Sequence, residues 1–433
     1  MTSDPSTSTF VWVFLPGQTL PTLCGRFNHA MTPGGGAVGK FVYGKTYLAD
    51  SDAVAIDPIT LPLADKEFST TSQRGIFGVF VDAMPDDWGQ FVIDQRKGRQ
   101  PSPVGYLTHS LEDRVGNLSF SRSVDTPPQI PILPGRDILD PARKVIAGLE
   151  LGRPLPAELE HVIQPNTALG GARPKITIED AGSQWLAKFP SRRDSADFPV
   201  ARIEAAPLDL ATRCGITSAH AEVVHIQGDD ILLVKRFDRM RIEASGWCRD
   251  PFISAQTVFH SSPEVQAYAY AGSYPRLSRE LTRWSADAKR DRRELFRRMV
   301  FNCVMSNTDD HERNHGFIGD DVIGSYRLSP AYDMVPSIHG TTRRFQALGI
   351  GENGAEPTAH NILSDCTAFD LTYQEAARIL KEIQEQAQDE WKMCLVKQGL
   401  SASAIDKLAQ CVESLPPDTP FESPLIFARP VQR

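Results

Sequence analysis

The chain has no long hydrophobic run, no paired-cysteine motif, no excess of positive charge and no evident internal repeat. Each absence excludes something. A membrane-spanning helix takes about 18 consecutive apolar residues, and no segment of the 433 approaches that. The opening MTSDPSTSTF lacks the basic start and apolar run of a secretory signal. The seven cysteines (Cys24, Cys214, Cys248, Cys303, Cys366, Cys394, Cys411) are scattered, odd in number and never in C-x-x-C spacing. That fits a reducing compartment and opposes both a disulfide framework and a thiolate zinc site. A cytoplasmic protein that does not engage a membrane is the expectation. A net charge of −8 withholds the clustered Lys and Arg that a broad nucleic-acid surface needs. The local cluster Lys289 to Arg293 falls on a helical pattern and reads as a solvated face.

What is present is ordinary globular material. Apolar residues make up 41% and charged residues 23%, enough to build a large core, and the length suits about two to three domains. Residues 10–16 (FVWVFLP) and 37–48 (AVGKFVYGKTYL) read as strands. IFGVFVDAMPDDWGQFVIDQRKG reads as a strand running into a helix, with Asp86 or Asp87 near the helix start. A Pro-rich passage, residues 124–135, reads as a linker or domain edge. Beyond it, ARPKITIED and SQWLAKFP alternate like two antiparallel strands, and AEVVHI with ILLVKRFDR makes a second hairpin. Between the hairpins, VARIEAAPLDLATRCG has helical spacing, with Pro207 predicting a kink. From Pro263 onward the pattern is helical. A strand-rich domain, strands around one helix and then a helical region is the layer order of a two-lobed kinase.

One stretch, SNTDDHERNHGFI at 306–318, has two incompatible readings. His311, Glu312 and His315 spell H-E-x-x-H, a zinc-hydrolase pattern in which two imidazoles share a helix face. Asp309, His311 and Asn314 spell D-x-H-x-x-N, a phosphoryl-transfer loop in which the Asp accepts a hydroxyl proton and the Asn holds magnesium. The zinc reading needs a continuous helix and a third ligand. Gly316 follows at once, Phe317 and Ile318 suggest a strand, and no H-x-x-G-x-x-H extension exists.

The remaining parts favour phosphoryl transfer by their order. ALGGARPK (Ala168 to Lys175) offers adjacent glycines for close backbone approach to phosphate, although it is not a Walker loop. Lys188 in WLAKFP lies on the next strand, and Glu204, early in the following helix, is its candidate partner. VKRFDR ends a strand where a lobe connector would sit, and LSPAYDMVPS carries Asp333 after Tyr332. Alone, each part is as readily a turn glycine pair, an edge lysine, a solvated carboxylate or a turn aspartate.

Together, GGARPK, LAKFP, RFDR, NTDDHERNHGFI and SPAYDMVP resemble the core of the HipA-like serine/threonine kinases, the toxin half of bacterial HipA–HipB toxin–antitoxin pairs. VGKFVYGKTYLAD and IFGVFVDAMPDDWGQ resemble that family's N-terminal domain. The resemblance implies an α+β, two-lobed protein-kinase-like fold preceded by a small β-rich N-terminal domain. It divides the chain into an N-terminal domain (1–125), a connection (126–160), a small lobe (161–240) and a helical lobe (241–433). It implies an enzyme that uses ATP and Mg²⁺, with Asp309 as catalytic base and Asn314 and Asp333 as magnesium ligands. It implies a phosphate loop of Gly170, Gly171, Ala172, Arg173, Pro174 and Lys175, and Lys188 as phosphate-binding lysine. Lys235, Arg236 and Phe237 become the adenine-contacting connector. His311, Glu312 and Arg313 line the nucleotide side of the catalytic loop, and Tyr332 adjoins Asp333. The implied partners are a HipB-like helix-turn-helix antitoxin, through which DNA is met indirectly, and a protein substrate such as an aminoacyl-tRNA synthetase, whose phosphorylation arrests growth. A catalytically weak kinase-fold interaction protein is the alternative. Two departures stand out: the best-known member's autophosphorylated serine is Ala168 here, beside Thr167, and its glycine is Asp310.

Overall fold

The computed structural model describes residues 7–97, 100–110, 112–155, 163, 171, 173–192, 194, 198–242, 246–261, 272–320, 324–337, 345–412 and 415. Near the N-terminus, β1 (Ser8–Val13), β2 (Thr22–Met31), β3 (Ala37–Tyr43), β4 (Glu67–Thr70) and β5 (Leu118–Ser121) form one sheet in the order β4-β3-β2-β1-β5. Its inner face carries Val11, Val13, Phe27, Phe41 and Phe120, all buried. Phe80 meets Phe27, Phe41 and Phe120 edge-on at centroid distances of 5.0, 5.7 and 5.5 Å. Alternation in TLCGRFNHAM, which sequence reading passed over, makes β2 the longest strand of the sheet.

Two expectations in this region are corrected. The strand expected over 37–48 stops at Tyr43, and Gly44 leads into the short helix α1 (Lys45–Leu48). The strand expected in IFGVFVDAMPDD is a helix, α2 (Gly78–Asp82), followed after Pro85 by α3 (Asp87–Lys97). A short apolar run does not distinguish strand from buried helix by periodicity, and here Phe77, Val79 and Phe80 are all buried against the sheet. Asp86 accepts from the Gly89 amide at 2.9 Å, a cap for the first turn of α3. Helix α4 (Pro103–His109) then begins at Ser102, whose side chain caps Gly105.

A second sheet runs β6-β7-β9-β8, from β6 (Lys175–Asp180), β7 (Ser183–Lys188), β8 (Ala221–Ile226) and β9 (Asp229–Lys235). Both hairpins turn through two residues of positive φ, Ala181–Gly182 and Gln227–Gly228, the backbone that matches strand twist. Part of the expected connection is structured: α5 (Leu139–Glu150) packs Leu139, Ala142, Val145, Ile146 and Leu149 against this sheet, and Trp88 and Val92 of α3 join the same core. Helix α6 (Val200–Arg213) runs through Pro207, which is buried. Strands β10 (Arg239–Ile242) and β11 (Gly246–Arg249) form a separate ribbon.

The remainder is mostly helical: α7 (Ala255–Ser261), α8 (Tyr274–Trp284), α9 (Ala288–Val304), α10 (Ala359–Ser364), α11 (Tyr373–Lys397) and α12 (Ala402–Ala409). A small sheet, β12 (Phe252–Ser254), β13 (Gly316–Gly319) and β14 (Tyr326–Leu328), carries the candidate loop on its centre strand. The basic run at the start of α9 is not simply solvated. Arg292 donates to Ala368 O at 2.7 Å and Arg293 pairs with Glu375 at 2.8 Å, fastening α9 to the start of α11. The main core is continuous from the first sheet to these helices. Among the described residues no helix is long and apolar enough to cross a membrane.

Candidate active site

The side chains that meet here come from three places. Lys188 ends β7, Glu204 lies in the second turn of α6, and Asp333 follows β14. Helix α6 turns an apolar face, including Ile203 and Ala206, into the core, and Glu204 is carried in with it, 3% exposed. A carboxylate so buried needs a cation. Lys188 Nζ donates to the Glu204 carboxylate and, at 2.9 Å, to Asp333 Oδ1. Burial alone would lower the Lys188 pKa, but Asp333 and Glu204 outweigh it and hold the ammonium above its ordinary range. For Glu204 burial prevails over Lys188 and raises the carboxyl. For Asp333 burial acts upward too, but Lys188 prevails and holds the carboxyl low. Asp333 has φ +57, a left-handed backbone that is uncommon outside glycine. Strain of this kind persists where the surroundings enforce it.

These three groups line an open cleft of about 570 Å³, whose other walls include Val115, Leu186, Val234 and the segment from Lys235 to Asp238. Phe237 stacks on Tyr332 at 5.7 Å. The cleft therefore combines apolar and aromatic walls with a cluster of charged groups, which suits a ligand with a flat ring system and an anionic tail.

The loop after α9 supplies the next groups. Asp309 is exposed, while Asp310 is 2% exposed. Asn314 Nδ2 donates to Asp309 O at 3.3 Å, and Tyr332 OH donates to Arg313 O at 2.8 Å, so the loop is tied to itself and to the Asp333 segment. Asp310 accounts for its own charge: it turns inward and accepts from Tyr274 OH and from His315 Nε2, the latter at 2.8 Å. Asn302 Nδ2 donates to the same tyrosine oxygen at 3.1 Å.

That network disposes of the zinc-hydrolase geometry. His311 and His315 flank a single 3-10 turn, Glu312–Asn314, and both have extended backbone, so they share no helix face. His315 is already committed to Asp310. Among the described residues no group of three or more His, Cys, Asp or Glu side chains is placed to hold a metal.

The other candidates divide. Gly170 and Ala172, with Thr167 and Ala168, lie outside the described residues. Gly171 has φ +109 and its carbonyl accepts from Lys175 Nζ at 3.3 Å. Arg173 makes a two-pronged pair with Asp194 at 2.6 and 2.9 Å, and Pro174 O accepts from the Phe189 amide. Lys175 does not line the cleft; its ammonium is buried against Asp86. Lys235, Arg236 and Phe237 line the cleft, and the Arg236 guanidinium is paired with Asp113 and Asp238. His311 is half-buried with Nδ1 lacking a hydrogen-bond partner among the described residues, and Glu312 sits in the turn beside it. Arg313 is exposed, holds Gln256 through Nε at 2.7 Å, and lines a different cavity, shared with Asp82, Asp86 and Asp87.

Sequence reading missed the N-terminal contribution. Val115 walls the cleft, and residues 112–116 clamp the connector. Arg236 donates to Asp113, Asp238 and Arg114 O, Arg239 to Asp238 and Gly116 O, and Arg249 to Glu112 O. Burial would raise Asp238, but Arg236 and Arg239 hold it well below the usual carboxylate range. The paired charges in EDRVG and RFDR were the available signal, and contact between segments so distant has no local signature.

Comparison with known proteins gives this geometry a context. A family model described as the HipA-like C-terminal domain matches residues 167–391, more than half of the chain. Over 326 residues, 69% of this chain and 72% of the relative, the chain is 26% identical to a Sinorhizobium fredii (strain NBRC 101917 / NGR234) protein named "Putative kinase Y4mE". Among solved structures, it matches a chain of the Shewanella oneidensis MR-1 complex of HipA, HipB and operator DNA. The TM-score is 0.66 at 15% identity, covering 93% of this chain and 95% of that one. It also matches the Helicobacter pylori proinflammatory kinase CtkA at a TM-score of 0.45 and 12% identity, covering 58% of this chain and 90% of that chain. The fold is two-lobed and kinase-like.

Proposed function

The chain belongs to the family defined by the HipA-like C-terminal domain, and from that premise we propose that it is an ATP- and Mg²⁺-dependent serine/threonine-protein kinase, the toxin of a type II toxin–antitoxin pair. The observation that carries the reading is Lys188 held between Glu204 and Asp333 in a cleft that Lys235 to Asp238 also line. A lysine so placed meets phosphate oxygens, and the helix glutamate fixes its position.

The donor set suits magnesium. Asn314 and Asp333 offer hard oxygens of the kind this ion takes in small number, completing its shell with water and phosphate. Bound magnesium nucleotide would supply the transferable phosphoryl group and neutralise charge developing on it. The protein's own part is placement. Lys188 and the Gly171 segment hold the phosphates, Lys235 to Phe237 meet the ring, and Tyr332 ties the Asp309 loop to the Asp333 segment. Asp309 takes the proton of the acceptor hydroxyl as that oxygen bonds to the γ-phosphorus and ADP departs. Little covalent chemistry falls to the protein, so orientation and electrostatics supply most of the rate.

Asp309→Ala in purified protein should lower phosphoryl transfer by about 10²–10⁴-fold and leave the fold intact by circular dichroism. Transfer equal to wild type would defeat the reading, and absence of transfer in wild type would favour the interaction-protein alternative. The HipA–HipB–DNA neighbour and the family together support a HipB-like antitoxin as partner, with DNA met through it, and a cytoplasmic setting. An aminoacyl-tRNA synthetase as target rests on family resemblance. A phosphoproteome before and after induction, with no synthetase among the new sites, would remove that target and leave the kinase.

A further inference from the structure

Lys175 was expected beside the phosphates, yet its ammonium is bound elsewhere. It is 1% exposed, and Nζ donates to Asp86 Oδ2 at 2.5 Å and to Gly171 O at 3.3 Å. Asp86 belongs to the N-terminal region, in the turn between α2 and α3, and its second oxygen accepts from the Gly89 amide. Two residues on, Trp88 Nε1 donates to Lys175 O at 3.1 Å. The turn therefore grips both the backbone and the side chain of the first residue of β6. Through that side chain it reaches Gly171, whose φ of +109 belongs to the glycine segment.

We propose that Asp86 is a positioning residue for nucleotide binding: with Lys175 it forms a strut from the N-terminal region that fixes the Gly171 carbonyl. The inference rests on the kinase reading. Its physical basis is that a glycine such as Gly171 has little intrinsic conformational preference, so something outside it must supply the constraint. A buried ion pair does this well, because Lys175 has nowhere to go without leaving a carboxylate uncompensated. The charge of Lys175 is met by Asp86, so its donation to Gly171 leaves no bare cation in the core. The N-terminal region is thereby part of the nucleotide site rather than an appendage to it. A displacement of the α2–α3 turn would be felt at the phosphates.

The test is a double-mutant cycle on the full chain, Asp86→Asn, Lys175→Met and both together, read by titration with ATP and Mg²⁺ and by KM for ATP and for the protein acceptor. Asn keeps the cap to Gly89 while removing the charge. Each single variant should weaken ATP binding roughly tenfold, since small misplacements of binding groups carry penalties of that order. The pair together should be no worse than either alone, because they act as one unit, and acceptor KM should hold. Trp88→Phe, which deletes one hydrogen bond from the same grip, should show a smaller loss in the same direction and serves if the charge variants do not fold. Wild-type ATP affinity in Asp86→Asn and Trp88→Phe, or losses that simply add in the double variant, would overturn the proposal. A wild-type protein that binds no ATP would instead overturn the kinase reading on which it rests.

Discussion

Two clusters of buried charge lie within the same fold, and they are built differently. The clamp at the connector holds four guanidinium groups (Arg114, Arg236, Arg239, Arg249) and three carboxylates (Glu112, Asp113, Asp238), all largely shielded from solvent. The Lys188 cluster of the cleft holds one ammonium and two carboxylates, and the Asp333 side chain is 37% exposed. Both perturb ionisation strongly: burial lowers Arg239 and Arg249 in the clamp just as the carboxylates raise Lys188 in the cleft. A displaced pKa therefore does not by itself mark the functional cluster. What separates them is an open side. In the Lys188 cluster two carboxylates share one cation, and one of them, Asp333, faces solvent. In the clamp each carboxylate already has its guanidinium.

Substitution should expose that difference. Arg236→Met carries the largest expected effect: it leaves Asp113 and Asp238 short of a buried partner, at a cost of about 3–5 kcal/mol in urea unfolding. Lys188→Met should do the reverse. Phosphoryl transfer should fall by roughly 10²–10³-fold, with a smaller stability loss than in Arg236→Met, because only Glu204 is left buried without its cation while Asp333 reaches water. Equal destabilisation by the two would erase the distinction. So would full transfer in Lys188→Met.

Next in size is Asp310→Asn. The carboxylate accepts from both Tyr274 and His315, and an amide presents one acceptor and one unwanted donor, a loss of about 1–3 kcal/mol. Because Asp310 adjoins Asp309, the rate should fall with stability. Unchanged rate and midpoint would mean the network positions nothing.

The candidate constellation could be assembled from the sequence because its members follow one another in the order that the proposed phosphoryl transfer would need. Lys188, Glu204, Asp309, Asn314 and Asp333 could be singled out before their distances were known, and the Lys188–Glu204 contact is present. The two hairpins were legible from Ala181–Gly182 and from the run around Gly228, where turn chemistry is local. The α2 helix was not, since Ile76 to Val81 is too short and too apolar for periodicity to decide. The direction taken by Lys175 and Arg236 was not legible either. Each reaches a partner about 90 or more residues away, and only the packed fold reveals it.

The smallest expected effect is also the control for the rest. Helix α11 begins with a capping box: Thr372 Oγ1 accepts from the Glu375 amide, and Glu375 Oε2 accepts from the Thr372 amide at 2.9 Å. Arg293 of α9 grips the other oxygen of Glu375, and these bonds, with the backbone bond of Thr372 first, hold the Glu375 carboxyl down to about 2. A carboxyl held that low contributes stability above the ordinary glutamate range, and loses it only as pH falls toward 2. Thr372→Ala should cost about 1 kcal/mol, a shift of a few degrees in the thermal midpoint. None of these residues lines the cleft, so phosphoryl transfer at 25 °C should match wild type. If a loss this small and this remote also lowered the rate, the rate losses expected for Lys188 and Asp310 variants would lose their local meaning. If transfer holds while the midpoint drops, the distinction between a charge cluster that supports the fold and one that does chemistry rests on independent measurements.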